Sequence, residues 1–370
     1  MNMHFTPTVE RLSSVVPFVG PETQERARGR KFRARIGANE SVFGPSPRAV
    51  EAMQQAATEV WKYADPENHD LKQALAAFHG VGPQNIVVGE GIDGLLGYTV
   101  RLCVDPGVAV ATSLGAYPTF NFHVTGYGGC LALAPYRDDR EDPAALIELA
   151  TREAARLIFF ANPDNPMASC WDAGTVQWLI DNVPEGSVLC LDEAYSEFAP
   201  PGTTPAIDIS NPQVLRFRTF SKAHGMAGAR IGYAIGEAEL IKSFDKIRNH
   251  FGVNRIAQVG ALASLQDTAH LAGVVAQVAA ARARIATIAL ANRLRPLPSA
   301  ANFVAIDCCN DGAFARRVLS ELIARDVFVR MPGVSPLDRC IRVSAGLPSD
   351  LDVFEEALPQ ALRAAAGRRP

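Results

Sequence analysis

The chain lacks features that define several classes of protein. Its seven cysteines are scattered singly except for Cys308-Cys309, are odd in number and form no C-x-x-C pattern. This argues against a disulfide framework and a zinc site, and no other metal site is predicted. No run of Lys or Arg interleaves with aromatic residues, and the formal net charge is -3. A nucleic-acid partner is therefore not expected.

Targeting and membrane signals are also missing. The opening MNMHFTPTVERLSSVVPFVG has neither the charged start nor the apolar core of a signal peptide. The alanine-rich stretch after Leu271 is broken by Arg282 and Arg284, which argues against a membrane span. Hydrophobic residues make up 48% and charged residues 20% of the 370 residues, as in ordinary globular proteins. We expect a cytoplasmic protein with a small-molecule partner and no membrane contact.

Seven short apolar runs alternate with helical periodicity between Ile86 and about Gly236. Such runs, without polar alternation, are typical of strands buried on both faces. The pattern predicts an α/β fold whose large domain has a mainly parallel seven-stranded sheet between helices. The runs are IVV, VAVAT, CLALA, RLIFF, SVLCL, VLRFRTF and IGYAIG.

The remainder of the chain predicts a smaller α/β domain. The pattern is helical from about Ala238 to Ala291, and strand-like NFVAID, VFVR and CIRVS follow with helical stretches between and after them. We predict three parts: residues 1–40 form an arm that joins the small domain, residues 41–250 the large domain, and residues 251–370 a long interdomain helix with the small C-terminal domain.

A glycine turn in IVVGEGIDGLLG, residues 86–97, reads G-x-G-x-x-G between a predicted strand and helix. A dinucleotide site would also need an acid at the end of the next strand, where this chain has Ser113-Leu114-Gly115. Small residues and the N–H groups of a helix start still favour an anion. The turn predicts a site for some other phosphate, with NAD(P) and a merely tight turn as alternatives.

Chemically useful side chains follow three other predicted strands. Because ligands bind at the carboxyl ends of parallel strands, we expect these side chains to share one site. A helix N-cap at Asp192 and an ordinary turn at Asn165 are the simpler alternatives. The stretches are SVLCLDEAYSEF with Asp192 and Tyr195, RTFSKAHGMAGARIGYAIG with Thr219, Ser221, Lys222 and Arg230, and FFANPDNPMAS with Asn162, Asp164 and Asn165.

Together these parts meet the needs of pyridoxal phosphate, which requires a lysine, an acid for its ring nitrogen and cationic or N–H groups for its phosphate. Lys222, Asp192, Arg230 and the turn at 91–93 supply them. The segments TFSKAHGMAGARIGY and LDEAYSEF resemble those of fold-type-I, class I/II aminotransferases, and among these the histidinol-phosphate aminotransferase family. The resemblance extends from about Leu12 to the C-terminal helix.

The resemblance implies roles for the cofactor-binding residues. Lys222 would bond covalently to the cofactor and then act as general base and acid. Asp192 would pair with the pyridinium nitrogen, and Tyr195 and Asn165 would hydrogen-bond the phenolic oxygen. The phosphate would be held by Ser221, Thr219, Arg230 and the backbone of Gly91, Ile92 and Asp93.

Two aromatic residues also match the family. Phe120, in AYPTFNFH, would stack on the pyridine ring, with a place in the core as the alternative. Tyr63, in WKYADPENHD, would reach the cofactor phosphate of the neighbouring subunit. The resemblance therefore implies a homodimer with shared active sites.

The resemblance also marks substrate-binding residues. Arg342 in CIRVSAG would hold the substrate anion, because a guanidinium can bind an anion bidentately. Arg330, at the end of VFVR, would hold a substrate phosphate, with a surface charge as the alternative. Asn39 in GANESVFGPSP would line the pocket.

Some positions depart from the family pattern. Phe18 stands where a tyrosine hydroxyl commonly reaches the substrate phosphate. Met167-Ala168 replace Thr-Gly, and Ile92 and Gly94 replace a small residue and an acid. The stretch KIRNHFGVN places Arg248, Asn249 and His250 near the predicted pocket mouth. These changes allow a different amino acid, aromatic or basic, as the donor.

The predicted function is transfer of an amino group between histidinol phosphate, or a related amino acid, and a 2-oxo acid such as 2-oxoglutarate. A decarboxylase of the same family would use the same cofactor residues and is the first alternative. An NAD(P) oxidoreductase and a cofactor-binding regulator without turnover are the others.

Overall fold

A computed structural model describes residues 4–14 and 19–367; the predicted substrate residue Phe18 lies outside these ranges. Within them the chain forms thirteen α-helices and twelve strands. The helices are α1 (Pro7–Glu10), α2 (Pro21–Arg28), α3 (Pro47–Ala57), α4 (His69–His79), α5 (Gly91–Cys103), α6 (Pro118–Gly126), α7 (Pro143–Arg152), α8 (Ala173–Asp181), α9 (Ala238–Ser243), α10 (Arg255–Gln266), α11 (Thr268–Ala291), α12 (Gly312–Ala324) and α13 (Pro348–Gly367). The strands are β1 (Ala34–Arg35), β2 (Ile86–Gly89), β3 (Ala109–Ser113), β4 (Cys130–Ala134), β5 (Leu157–Ala161), β6 (Val188–Asp192), β7 (Val214–Thr219), β8 (Gly232–Ile235), β9 (Arg295–Pro296), β10 (Phe303–Asp307), β11 (Val327–Phe328) and β12 (Cys340–Ser344).

Seven strands form the large sheet in the order β2-β8-β7-β6-β5-β3-β4. These are the seven apolar runs, so the predicted α/β fold with its mainly parallel sheet is confirmed. Strands β3 to β7 are parallel, whereas β8 runs antiparallel to both of its neighbours. Successive side chains of β5 enter different core clusters, Phe159 on one face and Phe160 on the other. Burial on both faces explains why the runs lack polar alternation.

The parallel strands end together, and this edge positions the site. Ala161, at the end of β5, lies opposite Asp192, at the end of β6, and Asp192 lies opposite Phe217 of β7. The segments that follow β5, β6 and β7 therefore leave the sheet side by side.

The C-terminal part contains a three-stranded antiparallel sheet in the order β12-β10-β9, against which helices α11 and α12 pack. Strand β9 was not predicted from the sequence, because it is only two residues long and includes Pro296. Strand β1 pairs in parallel with β11, so residues from the start of the chain join this part.

Helix α11 is long and apolar enough to cross a membrane by length and composition alone. One of its faces, with Val274, Val278, Ala281 and Ile285, packs into the main core cluster. Its apolar composition is therefore that of a core helix.

Candidate active site

A cavity of about 690 Å³ opens at the carboxyl edge of the large sheet. It brings together residues from stretches that are more than 300 positions apart in the chain. The predicted residues that line it are Asn39, Ile92, Asp93, Asn165, Asp192, Tyr195, Thr219, Ser221, Lys222, Arg230, Arg330 and Arg342.

The start of helix α5 forms part of the cavity wall. Gly91 has φ +77°, and a Cβ at this position would lie 2.5 Å from Nη2 of Arg230, so the site requires glycine. The following N–H groups of Ile92 and Asp93 belong to the first turn of a 13-residue helix, which favours an anion. Arg230 adds its guanidinium, and Thr219 Oγ1 accepts a hydrogen bond from the Ser221 N–H at 3.0 Å. These groups form a cradle suited to a phosphate.

Lys222 lies in the middle of the cavity wall. Its Nζ donates a hydrogen bond to the backbone oxygen of Asn39 at 3.1 Å and lies 5.6 Å from the centre of the Tyr195 ring. Burial, together with the positive charges of Arg342 and Arg230, lowers the pKa of Lys222 to about 8. A sizeable fraction of this amine is therefore neutral, and nucleophilic, at moderately alkaline pH.

Asp192 is buried at the end of β6, and its Oδ1 accepts a hydrogen bond from the Ala194 N–H at 2.9 Å. Burial raises the pKa of Asp192 to about 6, while the nearby charge of Lys222 acts in the opposite direction. The carboxylate is mostly ionised at neutral pH and would be stabilised by a cationic ring nitrogen.

Asn39 connects several residues of the site. It has φ +56°, its Nδ2 donates to Tyr195 Oη at 3.1 Å, and its Oδ1 accepts from Ser344 Oγ at 2.9 Å. Burial raises the pKa of Tyr195 above its usual value. Tyr195 is therefore a neutral hydrogen-bonding group.

Arg342 and Arg330 also line the cavity and lie side by side. Their backbones exchange two hydrogen bonds, of 2.6 and 3.2 Å. Arg342 Nη1 donates to Asn165 Oδ1 at 2.6 Å, and Arg342 Nε is buried without a hydrogen-bond partner among the described residues. Burial lowers the pKa of Arg342 to about 10, so it remains charged at neutral pH. An unsatisfied buried guanidinium N–H beside a second arginine suits an anionic ligand.

The expectation that Phe120 faces the cofactor needs correction. Phe120 is fully buried, stacks on Phe159 with 4.6 Å between ring centres, and does not line the cavity. Helix α6 begins at Pro118, and its turn directs residue 120 into the core. Tyr117, just before the helix, lines the cavity instead. Sequence reasoning chose the wrong one of two aromatic residues in AYPTF.

Other predicted residues lie outside the cavity. Tyr63 is 80% exposed, and its ring centre is 4.8 Å from that of Phe251. Arg248, Asn249 and His250, which were predicted near the pocket mouth, do not line the cavity of the same chain. Arg248 instead pairs with Asp245, with 2.6 Å between Nε and Oδ1.

Sequence reasoning also missed an apolar wall. Its residues come from the segment after β3, from β4 and from the loop after β11. They are apolar and belong to no motif that the sequence analysis could recognise. The wall consists of Leu114, Leu133, Met331 and Val334.

The residues present fit pyridoxal phosphate. The cavity offers a glycine-bounded phosphate cradle, a half-buried lysine of lowered pKa and a buried carboxylate, which are the three groups that this cofactor needs. The fold and the site thus define a pyridoxal-phosphate-dependent aminotransferase. The family model "Aminotransferase class I and II" matches residues 35–358, and the chain belongs to this family.

The individual proteins to which this chain is similar are also aminotransferases. The chain is 35% identical over 336 residues to "Histidinol-phosphate aminotransferase 1" of Mesorhizobium japonicum, which covers 89% of this chain and 90% of the relative. It is 52% identical, with a TM-score of 0.95 and 98% coverage of both chains, to the crystal structure of histidinol-phosphate aminotransferase from Sinorhizobium meliloti in complex with pyridoxal-5'-phosphate. Thermus thermophilus aspartate aminotransferase with maleate shares the fold, with a TM-score of 0.81, 21% identity and coverage of 98% of this chain and 100% of that chain. These comparisons give no support to a decarboxylase or an NAD(P) oxidoreductase.

Proposed function

We propose that the chain transfers an amino group from histidinol phosphate to a 2-oxo acid such as 2-oxoglutarate. The observation that carries the proposal is the pair of adjacent arginines, Arg330 and Arg342, that line the cavity. Two guanidinium groups match a doubly charged phosphate better than a single carboxylate. The similar proteins from Mesorhizobium japonicum and Sinorhizobium meliloti are histidinol-phosphate aminotransferases, which supports the same donor.

Pyridoxal phosphate supplies an aldehyde that takes up the amino group and a ring that withdraws electrons. Lys222 Nζ would bond to that aldehyde and, once released, take a proton from the substrate α-carbon and return it at the carbon that receives the amino group. The Asp192 carboxylate would keep the ring nitrogen protonated. Tyr195 and Asn165 would donate hydrogen bonds to the phenolic oxygen; the Nδ2 of Asn165 serves this purpose, since its Oδ1 accepts from Arg342.

The cradle would hold the cofactor phosphate through the N–H groups of Gly91, Ile92 and Asp93 and the side chains of Ser221, Thr219 and Arg230. Tyr117 takes the place assigned to Phe120 as the aromatic residue beside the ring. The apolar wall of Leu114, Leu133, Met331 and Val334 would cover the flat, uncharged part of the donor and exclude water from it.

Substrate binding would divide between the arginines. Arg330 would hold the donor phosphate. Arg342 would hold the carboxylate of the 2-oxo acid and contribute to the phosphate site, and Asn39 would fix one side of the pocket through its contacts with Lys222 and Tyr195. Phe18 cannot supply the hydroxyl found in the family, so the two arginines would bear more of the phosphate binding.

A spectroscopic titration tests the donor. Purified holoenzyme should show a visible band from the lysine-bound cofactor. Histidinol phosphate should bleach this band, and 2-oxoglutarate should restore it. Bleaching only by another amino acid would keep the transaminase and replace the donor. If the enzyme releases carbon dioxide from an amino acid and forms no keto product, it is the decarboxylase instead.

Assembly, organisation and location complete the proposal. We propose a homodimer in which Tyr63 reaches the partner's cofactor phosphate; its exposed ring beside Phe251 supports this.

We also propose the division into residues 1–40, 41–250 and 251–370. The pairing of β1 with β11, which joins the start of the chain to the C-terminal part, supports it. The similar proteins are histidinol-phosphate aminotransferases, and for this chain we propose a soluble protein located in the cytoplasm.

A further inference from the structure

Two acidic residues with no part in the proposed chemistry lie buried behind the cavity wall. Glu141 is 1% exposed and Asp164 is 2% exposed. Within residues 4–14 and 19–367 neither acid forms a salt bridge, although Arg342 is near enough to Asp164 for their charges to interact. Buried acids without a salt bridge are costly, so their contacts require an explanation.

Glu141 connects the ends of two neighbouring strands. Its Oε2 accepts a hydrogen bond from Ser113 Oγ at 2.7 Å, and its Oε1 accepts one from the Ala161 N–H at 3.0 Å. Ser113 ends β3 and Ala161 ends β5. The segments that follow these two residues, including Leu114 and Asn165, form part of the cavity wall. Glu141 therefore fixes two strand ends from which the wall begins.

Asp164 fixes the loop after β5. Its Oδ1 accepts a hydrogen bond from Tyr136 Oη at 2.8 Å, and its Oδ2 accepts one from the Met167 N–H at 3.0 Å. The next residue, Asn165, accepts the 2.6 Å hydrogen bond from Arg342. A continuous set of contacts thus leads from Asp164 to the proposed anion site.

The two carboxyl groups influence each other. Burial raises the pKa of Glu141 well above its usual value and that of Asp164 to about 6, and the charge of Asp164 raises the pKa of Glu141 further. The titratable groups that face them include Tyr136, Asp192 and Arg342. Buried acids are costly unless they are hydrogen-bonded. The hydrogen bonds from Ser113, Ala161, Tyr136 and Met167 therefore stabilise both acids in this position.

We propose that Glu141 and Asp164 are positioning residues: two buried acids that hold the ends of β3 and β5 and the loop after β5, and so keep Asn165, and through it Arg342, in place for the substrate anion. The inference rests on the proposed role of Arg342. Neither acid touches the reacting atoms; the pair acts only through Asn165 and the ends of β3 and β5.

The test measures the dissociation constant of maleate, a dicarboxylate with no amino group to transfer, by calorimetry on the holoenzyme at neutral pH. Glu141→Leu leaves the Ser113 hydroxyl and the Ala161 N–H buried without their acceptor and should weaken maleate binding by about tenfold. Glu141→Gln keeps a hydrogen-bonding group and should bind maleate within about twofold of wild type.

A matched control separates positioning from general destabilisation. Glu321 is also buried, lies on α12 and pairs with Arg325, but does not line the cavity. Glu321→Leu should leave maleate binding unchanged. If Glu141→Leu does not fold, Tyr136→Phe removes the hydroxyl from Asp164 and should weaken binding about threefold. Unchanged binding in a folded Glu141→Leu or Tyr136→Phe variant, or equal weakening by Glu321→Leu, would overturn the inference.

Arg342→Ala distinguishes this inference from the function on which it rests. If Arg342→Ala abolishes maleate binding and Glu141→Leu does not affect it, the positioning role alone is wrong. If wild type does not bind maleate, or Arg342→Ala binds it equally well, the role of Arg342 is wrong and the inference fails with it.

Discussion

The backbone oxygen of Asn39 accepts a hydrogen bond from Nζ of Lys222 across 183 positions of sequence. The same asparagine donates from its side chain to Tyr195. One residue near the start of the chain thus contacts two residues proposed to act on the cofactor. Since Asn39 adopts φ +56°, which asparagine tolerates better than most residues, its identity serves both the backbone and the side-chain contact.

The lowered pKa of Lys222 predicts how cofactor uptake depends on pH. Only the neutral amine attacks an aldehyde, and the pKa of Lys222 is about 8. The rate of holoenzyme formation from apoenzyme should rise about tenfold per pH unit below pH 8 and level off above it. Stopped-flow absorbance measures this rate. Arg342→Gln removes a charge that lowers the pKa, so the midpoint should move to higher pH; a midpoint that stays fixed would contradict this account.

Glycine at position 91 should be essential for the cofactor phosphate. In Gly91→Ala the new Cβ would lie 2.5 Å from Nη2 of Arg230, at a φ of +77° that disfavours alanine. We expect the dissociation constant of pyridoxal phosphate to rise by about tenfold or more, measured by fluorescence titration of apoenzyme. Gly94→Ala is the matched control, because its Cβ comes no closer than 3.3 Å to any atom and alanine suits the helix. Equal losses in both variants would argue against the cradle.

Arg330 should determine selectivity for a phosphorylated donor. Arg330→Ala should lower kcat/KM for histidinol phosphate by about 10- to 100-fold, because a charge-assisted contact with the substrate is lost. The KM for 2-oxoglutarate should change by less than about threefold. Arg330→Lys keeps the charge without the planar fork and should fall between wild type and alanine. Steady-state kinetics with both substrates measure this effect. A parallel loss for both substrates would assign Arg330 to general structure.

Tyr63 should act across the dimer. Separate Tyr63→Ala and Lys222→Ala proteins should be nearly inactive, and random mixing of their subunits should restore about one quarter of wild-type activity, because half of the dimers would carry one intact site. Tyr63 is mostly exposed in the single chain, so its replacement should leave the fold intact. No recovery after verified subunit exchange would place Tyr63 in the site of its own subunit.

The sheet was predictable because its strands are continuous apolar runs. The direction of β8 was not, since apolar pattern carries no information on whether a strand runs parallel to its neighbours. At the site, Lys222, Asp192 and Arg230 were recognisable by their residue types at strand ends. Which of the two aromatic residues, Tyr117 or Phe120, faces the cavity depends on the exact residue at which α6 begins. The sequence does not predict a helix start to within one residue.

Glu141 illustrates a different limit. In the sequence it stands within RDDRED, a charged stretch typical of an exposed loop. Only the tertiary structure shows that its side chain turns inward to Ser113 and Ala161. A buried acid in a charged segment has no local signal that distinguishes it from its exposed neighbours.

The order of the site residues along the chain has a consequence for biosynthesis. All seven strands of the large sheet, and the phosphate cradle with Arg230, lie before residue 236, whereas Arg330 and Arg342 are about a hundred residues later. A nascent polypeptide leaving the ribosome therefore presents the lysine, its carboxylate and the cradle before either arginine has been translated. The residues proposed to hold the vitamin-derived cofactor are therefore synthesised first, and the arginines proposed to select the substrate are synthesised last.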